Sequence, residues 1–138
     1  MTASDPQPAK RFTRAPRTER PLTDHARANF LESVDAIAAF LSHAVGSGRG
    51  AFLRTSPSYA SGSMAIIRTA ALFETDDFAP FVTDTPAEVV AALRTMRNIA
   101  SHAGYRAMND ERLWVTLTTE LPPYIADWRR AGEKPPSD

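Results

Sequence analysis

The sequence has no cysteine, only three histidines, and no surplus of charge of either sign. Without thiols there is neither a disulfide nor a thiolate nucleophile, and a zinc site would have to be built from imidazoles and carboxylates. His25, His43 and His102 stand far apart, none four residues from another, so no metal is expected. Sixteen basic residues balance sixteen acidic ones. Net charge therefore draws in no polyanion, and a basic site must come from local clustering. No apolar run approaches the roughly 20 residues of a membrane span. The N-terminal stretch MTASDPQPAKRFTRAPRTERP has no apolar core of a secretion signal. A cytoplasmic protein with no membrane association is the expectation.

What is present is an ordinary apolar content, 43% of 138 residues, enough for one compact domain with a core. Residues 1–22 are rich in proline and arginine, and Phe12 is almost alone among them as a bulky apolar group. Such a segment buries too little surface to offset its ordering entropy and is predicted to be a disordered arm. Its Lys10, Arg11, Arg14, Arg17 and Arg20 serve either solubility or contact with an RNA backbone. The helical domain is expected over 23–131, with a frayed tail over 132–138.

Helical spacing recurs along that domain. Phe30, Val34, Ile37, Leu41 and Val45 form one apolar stripe, ended by Gly46 and Gly48. Ser56-Pro57 reads as a cap with proline at the first helical position. The helix after it is apolar on several sides through Met64, Ile66, Ile67, Ala70, Ala71, Leu72 and Phe73. A helix of that kind belongs at a bundle centre or an interface, and this pattern predicts a homodimer. Gly62 would permit close helix approach. Thr85-Pro86-Ala87-Glu88 has the form of a capping box. It precedes a buried stripe of Val89, Leu93, Met96, Ala100 and Ala103 that Gly104 is placed to end. A last stretch from Asn109 or Asp110 carries Leu113, Leu117, Leu121, Ile125 and Trp128, with Pro122-Pro123 expected to kink or restart it. No strand pattern and no repeat interrupt this. The fold class is all-α, a bundle of four to five helices.

The third helix bears a second stripe, Arg94, Arg97, Asn98, Ser101 and Tyr105, with His102 in its last turn. Guanidinium, amide, imidazole and phenol suit phosphoryl chemistry, and the helix C-terminus favours an imidazolium. The same stripe also reads as a solvated helix face.

Arg97-Asn98-Ile99-Ala100-Ser101-His102 is similar to the arginine–four residues–histidine motif of HEPN-domain ribonucleases. The nearer likeness is to the HepT-like branch, toxins paired with minimal nucleotidyltransferase antitoxins. Trp114, Leu121-Pro122 and the stretch SMAIIRTAALFE (63–74) stand where that branch has its tryptophan, its leucine-proline pair and its second long helix. The likeness spans about residues 24 to 130. It departs at Tyr105, three residues after His102 instead of two, and at Arg68-Thr69, where many relatives have a glycine-glutamate pair.

The resemblance implies a HEPN-type bundle, homodimeric, that cleaves RNA without metal or cofactor by attack of the ribose 2′-OH. It makes Arg97 and His102 the catalytic candidates. Asn98 is either an orienting donor or a surface amide; Arg94 and Arg106 are either phosphate contacts or solvated charge. Tyr105 is adenylylated by the antitoxin, stacks on a base, or caps the core. Five residues of ideal helix turn through about 500°, which points Arg97 and His102 roughly 140° apart. Convergence therefore requires the helix to end near His102 or a second chain to supply one of the pair. The alternative function is a non-catalytic helical module that binds a nucleotidyltransferase or RNA.

Overall fold

The computed structural model describes residues 19–102 and 107–134. Apolar spacing decides where its helices lie. In α1 (Glu19–Val45) Phe30, Val34 and Ile37 are fully buried, and Leu41 and Val45 pack at the core margin. The helix begins at Glu19, ahead of Thr23, so the last residues of the expected arm are helical. Pro21 falls in the first turn, where its missing amide has no intrahelical partner to lose. Gly48 then takes the left-handed conformation (φ +87°), which glycine adopts without a steric cost. A short 3-10 turn, Arg49–Ala51, leads to α2 (Pro57–Leu72). As expected, Ser56 caps α2, its hydroxyl accepting from the Tyr59 amide at 3.1 Å.

α2 packs against α1 on one side and α3 (Ala87–His102) on the other. The C-terminal helix reaches it at Gly62, where a Cβ would stand 2.7 Å from Leu117 Cδ1 and 3.1 Å from Phe52 Cε1. Tyr59, Ala65, Ile66, Ala70 and Leu72 are buried among these neighbours, and the outer stripe is Ala60, Met64, Arg68 and Ala71. The apolarity of α2 is thus met largely within one chain and does not by itself require a second copy.

After α2, the turn Asp76–Phe81 sets Phe78 and Phe81 on Phe30, with ring centroids 5.3 and 4.7 Å apart. α3 buries Leu93 and Met96 and rests Val89 and Ala100 at the core margin, the expected stripe as far as His102. The Thr85 hydroxyl ahead of it accepts from the Trp128 indole at 2.9 Å, which ties the start of α3 to the C-terminal helix. That helix runs as α4 (Asp110–Val115), a wide π turn (Thr116–Glu120) and α5 (Leu121–Glu133). Asn109 caps it, accepting from the Arg112 amide at 2.9 Å. Leu113, Leu117, Leu121, Ile125 and Trp128 are all buried. Pro122 and Pro123 do not break it: they withhold two amides from the turn below, and the chain answers with the wider turn. The frayed tail expected from Gly132 is instead helix through Glu133. Gly132 is buried where a Cβ would meet Leu31 Cδ2 at 2.7 Å.

The described residues therefore form an all-α bundle of five helices, without a strand. None of these helices is long and apolar enough to cross a membrane.

Candidate active site

The polar stripe of α3 meets the C-terminal end of α2. Glu74, just past the last residue of α2, accepts a hydrogen bond from Nη1 of Arg97. The same carboxylate oxygen, Oε2, stands 3.7 Å from Nε of Arg94. On its other side Arg97 donates from Nε to Oδ1 of Asn98 at 3.1 Å. Arg94 also reaches the Phe73 carbonyl at 3.5 Å, one of the acceptors that the end of α2 leaves unpaired. Arg97 is the less exposed of the two arginines, its side chain 24% accessible against 46% for Arg94. Three of the expected residues, Arg94, Arg97 and Asn98, are therefore brought into one cluster.

His102 is not part of it. α3 remains helical through His102, so on an ideal helix the two residues project roughly 140° apart around its axis. The residue is exposed and makes no hydrogen bond to any described residue. It lies in the last turn of α3. Tyr105 and Arg106, with Ala103 and Gly104, lie outside the described residues.

The residue that sequence reasoning missed is Glu74. A signal for it existed. A carboxylate just beyond a helix C-terminus is opposed by the helix dipole, and such a position calls for a cation from a neighbouring element. Arg68-Thr69, singled out by its departure from the HepT-like pattern, plays no part. The Arg68 guanidinium lies 5.5 Å over the Phe40 ring, and the Thr69 hydroxyl donates to the Ala65 carbonyl at 2.6 Å.

The start of α4 is pinned by polar contacts. Asp110 accepts from the Tyr59 hydroxyl at 2.8 Å and from Arg54 Nε at 3.0 Å, and Arg54 also donates to the Met108 carbonyl. Arg49 pairs with Glu111 at 3.3 Å and lies 5.9 Å over the Trp114 ring. The segment between α3 and α4 thus starts from a bundled helix and ends on residues clamped to the α1–α2 connection.

No group of three or more histidine, aspartate or glutamate side chains suited to a metal ion occurs among the described residues. Comparison with known proteins finds no matching family model, no matching curated protein and no matching solved structure.

Proposed function

We propose that this chain is a metal-independent endoribonuclease of the HepT-like HEPN type, active as a homodimer and neutralised by a nucleotidyltransferase antitoxin. The observation that carries the reading is the state of Arg97. Its guanidinium is half-buried and held on two nitrogens, and its Nη2 has no hydrogen bond to any described residue. A guanidinium fixed in this way keeps Nη2 for contact with a phosphodiester oxygen.

In the proposed reaction the ribose 2′-oxygen attacks the adjacent phosphorus while its proton passes to a base. The bond to the leaving 5′-oxygen breaks, that oxygen takes a proton, and a 2′,3′-cyclic phosphate remains. His102 moves one of these protons. Arg97 stabilises the charge that builds on the phosphoryl oxygens. Because Arg97 and His102 diverge on α3, the pair that acts on one phosphate is drawn from two chains. Each cleft then joins Arg97 of one subunit to His102 of the other. Asn98 orients Arg97, and Arg94 takes a flanking phosphate. Tyr105 is the candidate for adenylylation, with the bulk and charge of AMP closing the cleft.

The pairing of Arg94 and Arg97 with Glu74 favours a second reading, a non-catalytic helical module whose arginines bridge α2 and α3. One assay separates the two. The wild-type chain, in the presence of a chelator, is expected to cut single-stranded RNA and leave cyclic phosphate ends, while Arg97→Ala and His102→Ala do not. Both variants are expected to stay folded, within about 1 kcal/mol of the wild type. Equal cleavage by all three proteins, or by none, sinks the ribonuclease reading.

A further inference from the structure

We propose that Glu74 is a positioning residue for Arg97; the proposal rests on the ribonuclease reading above. An isolated arginine side chain turns about several bonds, and each must be frozen when it meets a phosphate. Here two acceptors on two different nitrogens fix the plane of the guanidinium, Glu74 at Nη1 and Asn98 at Nε. What remains for a ligand is Nη2, which has no hydrogen bond to any described residue. Packing does not explain Glu74, since its side chain is 44% exposed. Helix electrostatics does not explain it either, since the end of α2 repels a carboxylate. Two arginines from the neighbouring helix are what hold it in place, and in return it aims the one that is less exposed.

The sign of the charge makes this role separable from others. Glu74 offsets part of the positive charge of Arg94 and Arg97, so its carboxylate opposes binding of a polyanion. Removing that charge strengthens the encounter with RNA while releasing the guanidinium from its aimed position. Transition-state stabilisation and ground-state binding therefore move in different directions. A residue that only supports the fold would lower both together.

The test uses the full chain with Glu74→Gln and two probes: a single-stranded RNA oligonucleotide for turnover and its uncleavable 2′-O-methyl counterpart for affinity. The expected result is a kcat lowered about 10- to 100-fold, with the 2′-O-methyl oligonucleotide bound as tightly as by the wild type or more so. A kcat equal to the wild type, or a loss of affinity that matches the loss of turnover, overturns the proposal. If Glu74→Gln does not fold by circular dichroism, Glu74→Ala, which also removes the charge, must show the same separation of kcat from affinity, or the proposal falls. The two layers fail differently. A wild-type chain that never cleaves ends the ribonuclease reading and the role of Glu74 with it. Cleavage that needs His102 but not Glu74 removes the role of Glu74 alone.

Discussion

Tyr59 has no accessible surface, yet it carries a hydroxyl, and Asp110 is the acceptor that makes this burial tolerable. The two sides of that bond are unequal. Replacing Asp110 with alanine takes one acceptor from the buried phenol and another from Arg54, at a cost of about 1–3 kcal/mol. Tyr59→Phe removes both the donor and its need, and Asp110 keeps Arg54; the expected loss is about 1 kcal/mol or less. Urea denaturation of the two variants checks the order, and a larger loss for Tyr59→Phe would contradict it. The same logic explains why the candidate site was only half legible. Arg94, Arg97 and Asn98 announce themselves by spacing along one helix. Glu74 belongs to another element, and only the packing of α2 on α3 brings it to them.

At the scale of the helix, the C-terminal segment shows what periodicity encodes and what it hides. Leu113, Leu117, Leu121 and Ile125 repeat at a strict spacing of four, and all are buried. In an ideal helix each such step drifts by about 40°, so the stripe would wind off the core. The π turn at Thr116–Glu120 advances less per residue and takes part of that drift back. The strict spacing, together with Pro122-Pro123, was a readable sign of a widened turn; the prolines taken alone pointed only to a kink or a restart. Gly62 is the point where this helix touches α2. Alanine there gains about 1 kcal/mol of helix propensity. Its methyl, however, would press on Leu117 and Phe52, both buried, at an overpacking cost of about 1–3 kcal/mol. The expected net effect is a loss, seen as a lowered thermal midpoint; a raised midpoint would show that the contact relaxes freely.

The whole molecule is where the sequence said least. The apolar faces of α2 pointed to a second copy, but α1, α3 and the C-terminal helix cover most of them, and Met64 is left 38% exposed on the outer stripe. Within the proposed catalysis, what argues for two chains is instead the helical continuity of α3 through His102, which on an ideal helix projects Arg97 and His102 roughly 140° apart. Sedimentation is expected to show a dimer at tens of micromolar, and a monomer there would remove the shared cleft. The most direct measurement is subunit complementation. Arg97→Ala and His102→Ala chains, each inactive alone, are co-expressed and the mixed dimer is assayed on single-stranded RNA. In a mixed dimer the intact Arg97 lies on one chain and the intact His102 on the other. If each cleft draws one residue from each subunit, one whole site is rebuilt, and up to about half of the wild-type turnover per dimer returns. A mixed dimer as silent as its parents, when the wild type cleaves, would mean that Arg97 and His102 of the same chain must act together, contrary to the geometry of α3.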